Sequence, residues 1–305
     1  MKKATIRKGR APVMDRTSLV LMLPYMLVFF LFIALPVLVA VYLSFTYFDG
    51  VQPPTFAGLK NYLNIFTQDR ILMERVIPNT LTLAIVIGPV SLGLQFLIAW
   101  MLAHITKTWR IIFSLIFYSP SMTGSVAMST VWKVLFSGDR QGYINALLLR
   151  LKLIETPIQF LQSEQYILPL MVVVTLWSSM GIGFLSIMVS MVNNDHEIYE
   201  AAYVDGIRNS FQEMIYITIP SMKPAMLFAT VMAIVNTFSV GEVGVSLTGS
   251  NPTPLYAGHT FVTHISDVGF NQYNMGYAAA LSVVLILIIF GVSKIANKLF
   301  LEKEG

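Results

Sequence analysis

Long apolar segments alternate with shorter polar ones along the chain, and this alternation predicts helices that cross a membrane. Each apolar run is close to or above the roughly 20 residues that a helix needs to span a bilayer. The predicted spans are residues 17–47, 79–104, 111–136, 166–192, 225–247 and 277–301. Within the fourth, Gly181 and Gly183 allow close helix packing or local unwinding. The sequence therefore predicts an all-α polytopic membrane protein, with residues 1–305 as a single transmembrane domain of six transmembrane helices.

Residues 193–224 differ from the rest, because they form a polar segment with helical periodicity between the fourth and fifth spans. Asn194 followed by Glu197 has the spacing of a capping box. We therefore expect a short helix that runs through Tyr203 and stops near Gly206.

A second short helix is predicted from Phe211 to Ile219. Asn209 or Ser210 could accept a hydrogen bond from its first turn, and Pro220 should end it because proline has no backbone N–H to donate. The polar segment is thus predicted to be two short helices joined by a turn.

Composition agrees with the membrane class. Of the 305 residues, 55% are hydrophobic and 12% are charged, and the mean hydropathy is +0.69, which is too apolar for a soluble domain. The absence of cysteine excludes disulfide frameworks and thiolate metal sites. The formal net charge of +4 is small and follows the membrane topology, so we expect no nucleic-acid partner.

Lysine and arginine are concentrated in one set of connecting segments, and this sets the expected orientation. Residues 248–275, between the last two spans, contain neither. By the positive-inside rule, both termini and residues 193–224 are expected to be cytoplasmic. The basic residues on the expected inner side are Lys2, Lys3, Arg7, Lys8, Arg10, Arg16, Lys107, Arg110, Arg208, Lys223, Lys294, Lys298 and Lys303.

Motifs that would indicate catalysis are missing from the sequence. It has no phosphate-binding loop, no zinc-protease helix and no nucleophile elbow, so we expect neither an enzyme nor an ATP site. His259 and His264 share an outer loop, but two ligands are too few to hold a metal ion, and both are expected to be solvated.

The polar segment resembles the EAA loop of permeases of ATP-binding-cassette (ABC) importers. That loop has the pattern Glu-Ala-Ala, a spacer, Gly, a longer spacer and a hydrophobic-x-hydrophobic-Pro ending. Here Glu200-Ala201-Ala202 precedes Gly206, and Ile217-Thr218-Ile219-Pro220 follows. The form with Tyr199 and Asp205 is similar to the carbohydrate-uptake branch, the relatives of the maltose and glycerol-3-phosphate permeases. The resemblance extends over essentially the whole chain, although Asn194-Asp195 stand where the family often has Ile-Pro.

The resemblance implies a coupling role for this loop. It would dock in a cleft of a cytoplasmic ATPase subunit and pass nucleotide-driven closure to the membrane helices. The residues expected to carry this coupling are Tyr199, Glu200, Ala201, Ala202, Tyr203, Asp205 and Gly206. The alternative, a helix lying on the membrane surface, fits poorly because the segment has few large aliphatic and few basic residues.

The resemblance also implies partners. They are a second homologous permease subunit, expected to form a heterodimer with this chain, a cytoplasmic ATPase dimer that binds ATP and Mg²⁺, and an extracytoplasmic solute-binding protein. The expected location is the cytoplasmic membrane of a bacterium or archaeon, and no cofactor or metal is expected in this chain.

Polar groups inside apolar spans are costly, so they tend to face a cavity or a partner helix. In maltose-permease-like proteins the helices corresponding to the fourth and fifth spans hold the sugar, and aromatic, amide and hydroxyl groups here suit a carbohydrate. Helix–helix hydrogen bonding is an equally good interpretation for each residue alone. The candidate pathway residues are Gln95, Thr175, Trp177, Ser178, Ser179, Asn236, Thr237 and Glu242. Glu242 could bind sugar hydroxyls, pair with the second permease or reach the membrane interface.

The sequence leaves alternatives open for the transported solute and for the class of transporter. A neutral oligosaccharide is favoured because the spans contain no basic cluster to hold a phosphate, and Lys133 lies near an outer edge. A glycerol-3-phosphate-like solute would need positive charge from the second permease. An autonomous ion-coupled transporter of sugars would need ionisable residues deep in its spans, and Glu242 is nearly the only one.

Overall fold

Helices dominate the structure, a computed structural model that describes residues 16–123, 125–238 and 240–301. Four helices in these ranges are long and apolar enough to cross a membrane: Val20–Ser44, Leu72–Ala103, Glu164–Val192 and Met275–Lys298. Two bent pairs pass the same test only when each is taken together: Lys107–Met122 with Ala127–Leu135, bent by 94°, and Ser210–Ser221 with Lys223–Phe238, bent by 78°. The described residues therefore contain four to six membrane spans. The basic residues from Lys2 to Arg10, and Lys303, on which part of the orientation argument rests, lie outside them.

The first half of the chain begins with an almost continuous helix and a short hairpin. Its α-helices are Arg16–Phe29, Leu35–Ser44, Lys60–Thr67, Ile77–Ala103, Lys107–Met122, Ser125–Leu135 and Tyr143–Arg150, with π-helical turns at Phe30–Ala34 and Leu72–Val76. The strands Thr46–Tyr47 and Thr55–Phe56 pair antiparallel, with Thr46 opposite Phe56.

The second half contains the segments that the sequence singles out. Its α-helices are Glu164–Trp177, Ile182–Val192, His196–Val204, Ser210–Glu213, Ile219–Ser221, Lys223–Phe238, Gly241–Thr248, Phe261–Ser266 and Met275–Leu301. Met214–Thr218 and Asp267–Asn271 are π-helical, and Pro254–Tyr256 is a 3₁₀ turn.

Three predicted spans are not single helices. The predicted span 111–136 is divided between Lys107–Met122 and Ser125–Leu135, and 166–192 is interrupted between Trp177 and Ile182. The predicted span 225–247 is divided between Lys223–Phe238 and Gly241–Thr248. The two parts have different neighbours: Lys223–Phe238 packs on Ile77–Ala103 and Ile182–Val192, whereas Gly241–Thr248 packs on Ser125–Leu135 and Phe261–Ser266. The last contact is close, because a Cβ on Gly241 would lie 2.9 Å from Val262 Cβ.

Three helices meet at the centre of the bundle: Ile77–Ala103, Ile182–Val192 and Lys223–Phe238. The contact depends on small residues, since a Cβ on Gly183 would lie 3.2 Å from both Cα and Cβ of Ala229. Phe184 and Ala229 are fully buried in the apolar cluster around this contact. Small residues at such positions let helix backbones approach closely in a membrane.

Residues 249–274, which we call the cap, cover the start of helix Ile77–Ala103. The Asn79 amide donates hydrogen bonds to the carbonyl oxygens of Tyr256 and His259, both at 3.0 Å. The hydroxyl oxygen of Thr80 accepts from the N–H of Phe261 at 3.0 Å. The cap is therefore built into one end of the bundle, and residues 193–224 lie at the other.

The prediction that His259 and His264 are solvated is wrong, because both side chains are buried in the cap. A ring nitrogen of His264 lies 2.7 Å from the carboxylate of Asp69. Burial raises the pKa of Asp69, but the contact with His264 and the hydrogen bond from the N–H of Leu72 lower it further, so the pKa lies below its ordinary value. Burial and the neighbouring His264 hold the pKa of His259 at about 4, against the opposing effect of Asp267 and Asp69. His259 is thus neutral at physiological pH.

Candidate functional site

The polar segment 193–224, which we call the EAA loop, begins its first helix one residue later than a capping box at Asn194 would place it. The carboxylate of Asp195 accepts a hydrogen bond from the N–H of Glu197 at 3.0 Å, so Asp195 is the N-cap. The Asn194 amide instead donates to the hydroxyls of Tyr199 at 3.0 Å and Ser221 at 2.7 Å. The capping-box prediction is therefore wrong, because Asn194 joins the two ends of the loop.

The turn between the two loop helices forms where predicted. Gly206 has φ +102°, a conformation that strains any residue with a side chain. Asn209 caps the next helix by accepting from the N–H of Gln212 at 2.7 Å. This helix does not end before Pro220 but continues to Ser221, because the π turn Met214–Thr218 widens the backbone and relieves the clash that a proline ring causes.

The seven predicted coupling residues differ in the solvent exposure of their side chains. The side chain of Ala202 is buried by the loop itself, and Tyr199 is half-buried and bonded to Asn194. Tyr203 is exposed, and its hydroxyl donates a 2.6 Å hydrogen bond to Glu213, which raises the pKa of Tyr203. Glu200, Ala201, Asp205 and Gly206 are exposed.

Sequence reasoning missed the large apolar side chains that the EAA loop leaves uncovered. Val204 is 87% exposed, and Ile198, Phe211 and Tyr216 are also exposed. These residues fall outside the EAA pattern, and only their apolar character within a polar segment could have indicated them. Exposed apolar groups of this kind are typical of surfaces that bind another protein.

A cavity of about 510 Å³ lies between the helices on the cap side of the central contact. Six of the seven predicted pathway residues of the fourth and fifth spans line it, together with Gln95. The six are Thr175, Ser178, Ser179, Asn236, Thr237 and Glu242. The structure therefore brings polar residues that are far apart in the sequence into the wall of one chamber.

Trp177 does not line this cavity. Its ring lies edge-to-face with Trp132 at a centroid distance of 6.4 Å, and 59% of the residue is exposed. Trp177 is the last residue of helix Glu164–Trp177, immediately before the two serines that line the cavity. Its prediction as a pathway residue is not supported by this arrangement.

Helix Lys107–Met122 contributes wall residues that the sequence did not single out. Tyr118, Ser121 and Thr123 line the cavity beside Pro120, and Ser91 lines it from helix Ile77–Ala103. The signal was present as a polar sequence around a proline within an apolar span. The chamber thus draws its polar groups from more helices than the fourth and fifth predicted spans.

Gln95 bonds to the break between Trp177 and Ile182. The carbonyl oxygen of Ser179 accepts a 2.8 Å hydrogen bond from the N–H of Gly181 within the break and another of 2.8 Å from the Gln95 amide. Irregular backbone at membrane depth is tolerated where it is buried in protein or lines a cavity. The break therefore exposes hydroxyl groups to the chamber without leaving this carbonyl unpaired.

The chamber wall combines apolar side chains with hydroxyl and amide groups and is nearly uncharged. Glu242 is the single charged residue among its described lining residues. The side-chain oxygens Gln95 Oε1 and Thr175 Oγ1 lie in its wall without a hydrogen-bond partner in the described chain. Within residues 16–123, 125–238 and 240–301, no three histidine, aspartate or glutamate side chains are placed to hold a metal ion. Such a site suits a neutral ligand with many hydroxyl groups.

Known proteins with similar sequences belong to transport systems. Residues 95–299 match the family described as binding-protein-dependent transport system inner membrane component. Over 276 residues the chain is 30% identical to the arabinooligosaccharides transport system permease protein AraP of Halalkalibacterium halodurans, covering 90% of this chain and 84% of that protein. Over 235 residues it is 26% identical to the lactose transport system permease protein LacF of Rhizobium radiobacter, covering 77% of each.

The fold also has a solved counterpart. A chain in the crystal structure of a bacterial ABC transporter involved in the import of the acidic polysaccharide alginate superposes with a TM-score of 0.79 at 21% identity. The superposition covers 95% of this chain and 97% of that one. A second structure, of a bacterial alginate ABC transporter in complex with a periplasmic protein bound to an alginate pentasaccharide, gives a TM-score of 0.78 at 19% identity.

Proposed function

The chain belongs to the family of binding-protein-dependent transport system inner membrane components, and on that premise we propose that it is the permease subunit of an ABC importer for a neutral oligosaccharide. The observation that carries the proposal is the chamber of about 510 Å³, whose wall presents serine, threonine and asparagine side chains and one carboxylate. Its volume is in the range of small-molecule sites. Sugars are recognised by hydroxyl and amide groups of this kind.

The cargo follows from the charge of the wall. The alginate importer takes up an acidic polysaccharide, whereas the described wall here contains no lysine or arginine and does contain Glu242. A carboxylate in a site of low dielectric constant repels an anionic ligand. Two of the similar permeases, those for arabinooligosaccharides and for lactose, belong to transport systems for neutral sugars.

The working assembly has further parts in this proposal. The chain has six spans, with both termini and the EAA loop in the cytoplasm. In this arrangement the exposed apolar residues of the EAA loop contact an ATPase dimer. A second permease, a different chain, completes the pathway, and a solute-binding protein delivers the sugar on the cap side. This chain itself hydrolyses nothing, and ATP and Mg²⁺ are bound by the ATPase.

The cargo proposal is tested with a matched pair of serine variants in a reconstituted importer. Ser178 and Ser282 are both half-buried, and each donates to the carbonyl oxygen four residues earlier, at 3.0 and 2.9 Å. Only Ser178 lines the chamber. Ser178→Ala should raise the KM for oligosaccharide uptake by roughly 2- to 10-fold, the equivalent of one hydrogen bond, and Ser282→Ala should not. Equal behaviour of the two variants would argue against the chamber as the sugar site.

The docking proposal is tested with two exposed valines. Val204 in the EAA loop is 87% exposed, and Val51 at the cap end is 86% exposed. Val204→Asp places a charge in an apolar contact and should abolish co-purification of the ATPase, while Val51→Asp should leave it intact. Retention of the ATPase by the Val204 variant would refute docking at this surface.

A further inference from the structure

One buried carboxylate in the EAA loop connects the loop to the end of another membrane helix. Glu213 is only 6% exposed. Its Oε2 accepts the 2.6 Å hydrogen bond from the Tyr203 hydroxyl, and its Oε1 lies 3.8 Å from Nε2 of His104. A carboxylate taken out of water is costly unless it is paired. One oxygen of Glu213 is therefore bonded to the first loop helix, and the other lies beside the residue that follows helix Ile77–Ala103, within ion-pair distance when His104 is protonated.

His104 is itself held rigidly. Its Nδ1 lies 2.8 Å from the carbonyl oxygen of Trp100, and the two rings are in edge contact at 4.8 Å. The carbonyl groups at the end of a helix have no partners within it. Here the guanidinium of Arg110 donates to three carbonyl oxygens, those of Leu102 at 3.1 Å, Ala103 at 2.8 Å and Ile105 at 3.0 Å. These bonds tie the helix end to helix Lys107–Met122, on which Arg110 lies.

The same helix reaches the chamber. Ser91 and Gln95 lie on helix Ile77–Ala103 and line the chamber wall, and Gln95 donates to the carbonyl oxygen of Ser179 in the break of the next span. Gln95 is about 14 Å along the helix from His104, from a rise of about 1.5 Å per residue. A rigid helix carries a displacement over this distance.

We infer that the chain Tyr203–Glu213–His104 is a second mechanical route from the EAA loop to the chamber, parallel to the direct continuation of the loop into helix Lys223–Phe238. Glu213 acts as a positioning residue: it touches neither sugar nor nucleotide, and it makes helix Ile77–Ala103 follow the loop. The inference rests on the proposed function, because it assumes that an ATPase moves the loop. Two routes let one displacement shift two walls of the chamber together.

The first test separates coupling from assembly in the reconstituted importer. In Glu213→Leu, the ATPase should still co-purify, because the exposed loop residues are unchanged, while the sugar taken up per ATP hydrolysed falls by roughly 2- to 30-fold. Glu213→Gln keeps an oxygen that accepts from Tyr203 and should recover part of the coupling. Glu197→Leu, a change of an exposed carboxylate in the same loop, serves as the control and should match the wild type.

The second test measures the motion directly. The chain contains no cysteine, so spin labels can be placed on cysteines introduced at two exposed positions, Met101 near the end of helix Ile77–Ala103 and Val51 at the cap end. In the otherwise unchanged complex, trapping with ATP should change the distance between the labels. In the Glu213→Leu background this change should be lost or greatly reduced.

The outcomes distinguish the inference from the function on which it rests. Absence of an ATPase partner and of sugar uptake in the wild-type complex would remove the proposed function. A working wild-type complex in which Glu213→Leu keeps its uptake per ATP, or keeps the change in label distance, overturns the second route alone. The second route is also overturned if Glu213→Leu and Glu213→Gln lose assembly, ATP hydrolysis and sugar uptake to the same extent, because that result indicates that Glu213 has a purely structural role.

Discussion

The central helix contact predicts that a single added methyl group will destabilise the bundle. In Gly183→Ala, the new Cβ would lie 2.7 Å from Gln95 Oε1 and 3.2 Å from both Cα and Cβ of Ala229. Carbon atoms in favourable contact are about 3.5–4.0 Å apart. The Ala229 contact involves helix backbone, which cannot rotate away, so helices Ile182–Val192 and Lys223–Phe238 must separate by about 0.3–0.8 Å.

The cost can be estimated from measured effects of overpacking. Inserting a methylene-sized group into a well-packed core costs about 1–3 kcal/mol. A displaced Gln95 side chain would also weaken its 2.8 Å hydrogen bond to Ser179, worth about 1 kcal/mol. Because Gln95 and Ser179 line the chamber, transport should decrease along with stability.

Thermal unfolding of the purified complex, followed by the loss of monodisperse protein, measures the effect. Gly93→Ala is the control, because Gly93 lies on helix Ile77–Ala103 with no atom within 4 Å of its Cβ position. It should be neutral or stabilising by up to about 1 kcal/mol. Ala229→Gly should partly rescue Gly183→Ala. The packing argument is refuted if Gly183→Ala melts at the temperature of the wild type, or if Ala229→Gly gives no rescue.

Three further predictions concern the cap and its neighbours. Gly276→Ala should destabilise by at least about 1–3 kcal/mol in the same thermal assay, because its Cβ would lie 2.2 Å from the backbone oxygen of Thr46, while Gly291→Ala, with nothing within 4 Å, should not. The pKa of His259 is lowered from 6.5 to about 4, so as pH falls the unfolded chain takes up a proton at this residue before the folded chain does. The free energy of unfolding should therefore decrease between about pH 6.5 and 4, and this decrease should be smaller in His259→Gln. Asn145→Ala removes three hydrogen bonds to the backbone of residues 137 and 158 and should speed limited proteolysis there; an unchanged cleavage rate would contradict this.

The chamber changes the interpretation of the candidate pathway residues. Ser178, Ser179 and Asn236 were expected either to bind sugar or to hold helices together, and the structure shows that the serine hydroxyls bond carbonyl oxygens of their own helix while lining the chamber. A hydroxyl that donates to a carbonyl keeps a lone pair, so it can still accept a hydrogen bond from a ligand. The two interpretations are therefore compatible for these serines.

Much of the architecture is a local property of the sequence. The length of an apolar run determines whether a helix can span a bilayer. The helices Leu72–Ala103 and Met275–Leu301 overlap the predicted spans 79–104 and 277–301 and end within one residue of them, although the first helix begins well before its predicted span. The turn at Gly206 and the cap at Asn209 depend on neighbouring residues alone, and both formed as expected. The match to the permease family covers the EAA loop as well.

The side on which each residue lies was decided by the tertiary structure. A membrane helix is apolar all round, so its periodicity does not mark the face that turns inward. Trp177 and Ser178 are adjacent in the sequence, yet one packs on Trp132 and the other lines the chamber. The burial of His259 and of Glu213 likewise depends on segments distant in the sequence. The sequence determined which segments are long and apolar enough to cross a membrane and which loop carries the EAA pattern, because these depend on local length and spacing. Only the packing of helices against one another decided which polar groups meet in the chamber and which carboxylate of the loop lies near the end of helix Ile77–Ala103.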